Sequence, residues 1–379
     1  MNPPDRFPDR LRPARLVPCG YDSHYMAVEL SYVLVTPYSL RKSRTGGIIA
    51  RLLSRTGLEL AGGCLFAPGR ELVEAYAATS AGAPDPKHRR TQELIEAYVR
   101  KNFAPDAGGR PQRVLMIVLR GEDAVQKTRS VTGYIVSDRP SGETIRDTYG
   151  DYIEEDGRVV YFEPAVFAAP DSASARAHLA LWASHADADG GLVEDSVVFP
   201  AGPNIESTLV LLKPDNFRFP NARAGSVIDS FSRSGLFIVG FKVVHLSVAQ
   251  AIEFYRPVLE RLERAGDPAA GRSHWESIIE FMCGTRPGDC PPEMLHAPGT
   301  EKCLALVYRG VDAVAKIRSL LGPTDPSEAP AGSVRREFGE SVMVNAAHAS
   351  DSPENARREI EILSIAENNL KRLLEDTAL

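Results

Sequence analysis

Apolar and polar positions follow the same succession of rhythms twice along this chain. Tyr32-Val33-Leu34-Val35-Thr36-Pro37 is a short, β-branched apolar run stopped by a proline. The stretch GGIIARLLSRTGLEL behind it has helical spacing and a stop at Gly57. Thr208-Leu209-Val210-Leu211-Leu212-Lys213-Pro214 is a second run of the first kind. AGSVIDSFSRSGLFIVGFKVVHLS then reads as a helix ending at Gly235 and leading into a strand. RVLMIVLRGEDAVQKTRSVTG and KCLALVYRGVDAVAKIRSLLG each predict a buried strand, a glycine turn and an amphipathic helix, closed by Gly133 or Gly322. SGETIRDTYG echoes AGSVRREFG. Matched blocks in one order predict a duplicated domain. The period is far above the roughly 20–50 residues of solenoid repeats, so the pattern is a tandem pair.

Each copy reads strand, helix, strand, helices, strand, helix, strand, helix. That order predicts an α+β fold, with helices packed on a small, mainly antiparallel sheet. The linker is expected near VVFPAGPNIES, which holds two prolines and a glycine. The boundaries are then an N-terminal extension at 1–27, a first domain at 28–196, a linker at 197–206 and a second domain at 207–379.

A length of 379 residues accommodates two domains comfortably. The formal net charge of -6 gives no global basic footprint, so no nucleic-acid partner is expected. A local cluster of Arg and Lys can still hold phosphates, because a short-range field does not depend on net charge. The five cysteines are odd in number and thinly spread, which fits a reducing compartment better than a disulfide scaffold. Cys283, Cys290, Cys303 and His296 lie near one another without a CxxC pair, and read as an ordinary loop rather than a zinc site. The N-terminal segment MNPPDRFPDRLRPARLVPCG lacks the apolar core of a signal peptide. No apolar run of about 18 residues appears, so no membrane span is expected and the cytoplasm is the expected compartment.

The polar residues of the second half fall where strands end and loops begin, where rigid elements position functional groups. Lys213 ends a strand. Arg318 lies on the helix after the third strand. Thr324 and Arg335 sit on the long loop GPTDPSEAPAGSVRREFG. Asn345 and His348 sit in or after the next strand, in NAAHASDSPENARRE. Ser352 and Pro353 make a good helix start, which puts Glu359 about two turns in. These residue types suit phosphoryl transfer from a nucleotide, where catalysis is mostly positioning and charge neutralisation. Lys213 and the two arginines supply positive groups. A neutral imidazole is a good nucleophile near neutral pH, its second nitrogen oriented by an acceptor such as Glu359. Alanine neighbours are expected to leave room for a phosphate on the ring. No G-x-x-x-x-G-K-[ST] loop is present, which disfavours a P-loop kinase. Taken singly, each residue also has a plain reading. Lys213, Arg335 and Glu359 read as surface charges, Arg318 as a cation at a helix C-terminus, Thr324 as a turn residue and Trp275 as core.

TLVLLKPD, IRSLLGPTDPSEAPAGSVRREFG and VNAAHASDS together resemble nucleoside diphosphate kinase, over most of the second half from about Thr208 to Glu361. The resemblance implies two tandem ferredoxin-like (βαββαβ) domains, the second intact and the first degenerate. It implies a ping-pong reaction between nucleoside triphosphates and nucleoside diphosphates, with the γ-phosphoryl passing through His348. Lys213, Arg318, Thr324, Arg335 and Asn345 would contact phosphates and ribose, and Tyr255 would line the site. Trp275 would stack on the base, where the family usually has Phe. Ser350 and Glu359 would hold the imidazole. Mg²⁺ would arrive on the nucleotide phosphates rather than in a protein cage. A homo-oligomer, or a pseudo-dimer within one chain, is the implied assembly.

The sequence departs from the family in extra residues between Tyr255 and Trp275 and in a longer loop, TRPGDCPPEMLHAPGTEK. The first half departs further. Thr36 stands where Lys213 stands, Phe167 for His348, Pro164 for Asn345 and His178 for Glu359. Only Arg129 and Arg146 keep the two arginine positions. These departures motivate a competing reading, a nucleotide-binding regulatory or scaffold protein with vestigial catalysis.

Overall fold

The computed structural model describes residues 28–79, 86–135, 141–265 and 267–377. The extension expected at 1–27 lies outside the described residues.

The first half contributes strands β1 (Glu29–Val35), β2 (Glu59–Phe66), β3 (Val114–Gly121), β4 (Asp151–Glu155), β5 (Arg158–Glu163) and β6 (Val166–Ala168). The second contributes β7 (Ile205–Leu212), β8 (Phe237–Val244), β9 (Cys303–Val311) and β10 (Ala347–Ala349). Two four-stranded antiparallel sheets result, ordered β2-β3-β1-β6 and β8-β9-β7-β10. Both therefore share one topology. Each has a bulge at the same place, between Leu60 and Gly62 on β2 and between Ile238 and Gly240 on β8. Among the described residues, only the first half has the extra hairpin of β4 and β5.

Local sequence decides how each matched element ends. Thr36 caps the helix Pro37–Arg41, its hydroxyl accepting from the Ser39 amide at 3.2 Å. Lys213 cannot accept there, and a 3₁₀ turn at Pro214–Asn216 follows instead. Helix Thr45–Thr56 stops on Gly57, whose φ of 66° is the left-handed cap glycine allows. Its counterpart Arg223–Ser232 stops earlier, on Arg233 in helical conformation. Gly235, expected to end that helix, lies in the turn beyond it with φ 69°.

The halves pack through a self-complementary seam. Edge strands β2 and β8 face each other, and helices Thr45–Thr56 and Arg223–Ser232 cross beside them. At the crossing a Cβ on Gly46 would strike the backbone of Gly225 and Asp229, and one on Gly225 would strike Gly46 and Ala50. Lys302 reaches across to the Leu60 carbonyl at 2.8 Å and to the Glu59 carboxylate. Arg113, also preceding a third strand, reaches back to the Ile238 carbonyl. Each bulge carbonyl is thus capped by a cation from the other half. One apolar core runs through the seam, joining Val33, Ile49 and Ile117 to Val210, Phe231 and Leu306. The far face of each sheet has its own core. The chain ends are exchanged as well. Val193 donates to the Val239 carbonyl at 2.8 Å, and Leu370 of the last helix is buried in the first half's outer core.

Candidate functional site

Strand β10 has three residues, and its alternation sorts them. Ala347 and Ala349 are buried in the core shared by the halves, while His348 turns to the other sheet face against Phe254 and Tyr255. The alanines therefore do not make room on the imidazole, as the sequence suggested. Ala346, just before the strand, has φ 68°, a left-handed turn uncommon for a residue with a Cβ. Arg335 braces this turn, donating to the Ala347 carbonyl at 3.1 Å and the Gly322 carbonyl at 3.0 Å.

The helix Pro353–Ile362 begins on Ser352, whose hydroxyl accepts from the Asn355 amide at 3.1 Å. That start directs Ala356 and Glu359 inward. The Glu359 Oε2 then lies 3.0 Å from His348 Nε2 and accepts from the Ser350 hydroxyl at 2.6 Å. Burial alone would raise the Glu359 pKa. The imidazole, its hydrogen bond and Ser350 outweigh burial and hold the carboxyl below its ordinary range. Glu359 is thus an ionised acceptor on Nε2. Nδ1 of His348 makes no hydrogen bond among the described residues, and the side chain is 24% exposed.

Three of the expected phosphate and ribose contacts form a second cluster. The Lys213 ammonium donates to Asn345 Oδ1 at 2.7 Å and to the Met343 carbonyl at 3.1 Å. Asn345 Nδ2 donates to the carbonyls of Thr324 at 3.0 Å and Val342 at 2.8 Å. Lys213 is buried without a carboxylate in hydrogen-bonding distance. Burial, and then the charge of Arg335, bring its pKa down to about 8. Arg318 and Thr324 are exposed, and Arg318 has no ion-pair partner among the described residues.

Two aromatic residues sit otherwise than expected. Trp275 is 6% exposed, and its indole N–H donates to the Tyr255 carbonyl at 2.9 Å. Both ring faces belong to the core, so it offers no platform for a base. Tyr255 is behind the imidazole, 6.2 Å between ring centroids, with its hydroxyl buried and unpartnered. Three residues that the sequence reading missed also shape the site. Phe254 packs edge-on to His348 at 5.0 Å. Arg358 donates to the carbonyls of Glu253 at 3.1 Å and Phe254 at 3.3 Å, with Glu359 beside it at 3.9 Å. Phe281, on helix Pro268–Cys283, has its ring centroid 5.9 Å from the Lys213 ammonium. Spacing on that helix was the available signal, since Phe281 shares a face with Ile278 and the exposed His274, while Trp275 points to the core.

In the first half the matching register position carries no imidazole. His348 pairs with Leu211 as Phe167 pairs with Leu34, and Lys213 and Thr36 donate to the carbonyls of Ala346 and Ala165. Phe167 is packed against Tyr98 at 5.6 Å and Phe103 at 5.8 Å. Thr36 and Tyr98 both donate to the buried Glu163, at 2.9 and 2.6 Å, and burial pushes that carboxyl up. Arg146 holds the Val166 and Gly133 carbonyls, as Arg335 holds those of Ala347 and Gly322.

The sequence profile named nucleoside diphosphate kinase matches residues 290–368, which include His348 and Glu359. A nucleoside diphosphate kinase of Staphylothermus marinus is 34% identical over 160 residues, 42% of this chain and 93% of that protein. The chain belongs to the nucleoside diphosphate kinase family. A member from Chlamydia trachomatis serovar L2 is 37% identical over 156 residues, 41% of this chain and 90% of its own. The solved nucleoside diphosphate kinase of Aquifex aeolicus is 30% identical, covering 42% of this chain and 94% of its own, with a TM-score of 0.32. Each match accounts for less than half of this chain. Among the described residues, no helix is long and apolar enough to cross a membrane, and no three or more His, Cys, Asp or Glu residues gather as a metal site.

Proposed function

We propose that this chain transfers the γ-phosphoryl of a nucleoside triphosphate to a nucleoside diphosphate, in ping-pong fashion, through phosphohistidine at His348. The observation that carries this is the division of labour on the imidazole. Nε2 is occupied by an ionised Glu359, so Nδ1 keeps its lone pair and takes the phosphoryl group. Glu359 then balances the positive charge that develops on the ring. Ser350 holds the second bond on the same carboxylate oxygen. Lys213, Arg318 and Arg335 supply the positive field for the phosphates, and Asn345 and Thr324 the polar contacts beside them. The base lies along the face of His274, Ile278 and Phe281 rather than on Trp275.

The donor set around the imidazole is cationic or neutral, apart from Glu359 and Asp351, and the Asp351 carboxylate is engaged by Asn355 at 2.6 Å. Such a set suits phosphate oxygens, so Mg²⁺ fits as an ion ligated by the nucleotide and water. There it would neutralise phosphate charge. The second domain, 207–379, houses the chemistry; the first, 28–196, is a degenerate copy, and the seam between them is an internal pseudo-dimer. The protein is expected in the cytoplasm.

Incubation with γ-labelled Mg-ATP should give an acid-labile, base-stable label that a nucleoside diphosphate discharges. His348→Ala should abolish it. Label persisting in that variant would sink the assignment, and nucleotide binding without turnover would favour the regulatory reading.

A further inference from the structure

Asn216 is 2% exposed, and its side-chain amide gives its hydrogens to backbone carbonyls. Nδ2 donates to the Lys213 carbonyl at 2.9 Å and to the Ala346 carbonyl at 2.7 Å. Oδ1 accepts from Arg223 Nε at 3.2 Å. The same Arg223 pairs with the buried Asp215 at 2.7 Å and donates to the Phe338 carbonyl, at the start of the stretch that leads to Asn345. One side chain therefore holds the end of β7, the left-handed turn before His348 and an arginine that reaches the segment carrying Asn345.

The first half shows which of these bonds the fold requires. Ser39 holds the matching place, three residues after Thr36 as Asn216 is three after Lys213. Its hydroxyl donates to the carbonyl of the left-handed Ala165 at 3.0 Å, as Asn216 donates to that of Ala346. Arg44, two residues before Gly46 as Arg223 is before Gly225, donates to the Tyr149 carbonyl. The turn and its arginine are thus built in both halves. A hydroxyl has one hydrogen to give, so Ser39 cannot also hold the Thr36 carbonyl. Among the described residues, the side-chain tie to the strand-end carbonyl occurs in the second half alone.

That tie bears on the reacting groups. The Lys213 N–H donates to the Ala346 carbonyl at 2.9 Å, and Asn345 and Met343 hold the ammonium. With its carbonyl held as well, the lysine is fixed at root and tip. Ala346 lies two residues before the imidazole. Asn216 thus sets how Lys213 and His348 stand to each other, while bonding to neither the ammonium nor the ring.

We propose that Asn216 is a positioning residue for phosphoryl transfer, joining the strand end that carries Lys213 to the turn that presents His348. The inference rests on the phosphoryl-transfer reading given above. A misplacement of about 1 Å between reacting groups can cost roughly 100-fold in rate. A role in packing alone has another consequence: serine should serve as well at 216 as it does at 39.

The test is rapid-quench labelling of the full chain by γ-labelled Mg-ATP, carried to saturation. Asn216→Ser keeps a donor for Ala346, and the Lys213 carbonyl keeps the backbone N–H of residue 216 at 3.1 Å, so no buried carbonyl is stranded. The saturating rate should fall about 10- to 100-fold, with the final stoichiometry of label unchanged and half-saturating ATP within about threefold of the parent's. Asn216→Asp has the same shape, keeps the acceptor for Arg223 and loses both donors, so it should be at least as slow. A rate within about twofold of the parent's in either variant overturns the proposal. Full rate at lowered stoichiometry overturns it too, since the residue then serves only folding. A loss confined to half-saturating ATP likewise overturns it, in favour of a role in binding. No label on the parent would end the phosphoryl-transfer reading and the inference with it; label on the parent beside an unaffected variant overturns the inference alone.

Discussion

Lys213 is the cation of the proposed site whose ionisation is expected to limit nucleotide binding at alkaline pH. Burial, reinforced by Arg335, brings its pKa to about 8 in the free protein, so the ammonium is lost as pH rises through that value. Affinity for nucleotide should fall above about pH 8, seen as a rising KM in a pH profile. The sign for stability is opposite. A depressed lysine pKa means the unfolded chain holds the proton more tightly, so this group costs the fold stability at lower pH, and that cost is relieved as pH rises from the folded value towards the unfolded one. Activity lost over that range while thermal unfolding does not worsen would mark the lysine; parallel loss of both would refute it. Trp275 has the reverse character, a residue placed by the resemblance at the base and by the structure in the core. Trp275→Ala should cost about 3–5 kcal/mol of stability in a denaturant titration, as large-to-small core changes do. A rise in KM for every nucleoside diphosphate without loss of stability would restore the stacking role.

At the scale of elements, the strands and their helices were legible because each had a rhythm and a stop. Thr36-Pro37, Gly57 and Gly322 all end elements as their chemistry dictates. Gly235 did not cap, because the helix frays on Arg233 before reaching it. The pairing of His348 with Glu359 was legible from residue types and the helix start at Ser352, and Ser350 only through the family resemblance, whereas the outward turn of His348 and the inward turn of its alanines needed the strand register. Least legible was the seam, since Gly46 and Gly225 read as ordinary helix glycines in sequence. Their role appears only where two backbones approach too closely for any Cβ. Gly225→Ala should therefore destabilise the protein by about 1–3 kcal/mol, as overpacking does, and lower the thermal unfolding temperature. Unchanged unfolding would mean that the helices cross more loosely than this contact requires.

For the whole molecule, the question is why two domains of one topology hold one histidine site. The first half keeps the frame of the site, including the left-handed Ala165, the carbonyl contacts of Arg146 and the strand register. What it lacks is the strand-end cation and the carboxylate acceptor, although Arg129 and Arg146 keep the two arginine positions. Thr36 bears no cation, and Glu163 puts a buried carboxyl where the second half has the Lys213 ammonium nearby. His178 stands at the position of Glu359, and its Nδ1 lies 2.6 Å from the Tyr32 hydroxyl. Restoring the nucleophile alone should thus restore nothing. In full-length protein, Phe167→His combined with His348→Ala should take no acid-labile label from ATP, because an imidazole at 167 would find Tyr98 and Phe103 in place of a carboxylate acceptor and Thr36 in place of the Lys213 ammonium, with only the two arginines kept. Label on that double variant, at any rate above that of His348→Ala alone, would show that the first half's frame is sufficient and that only its histidine was missing.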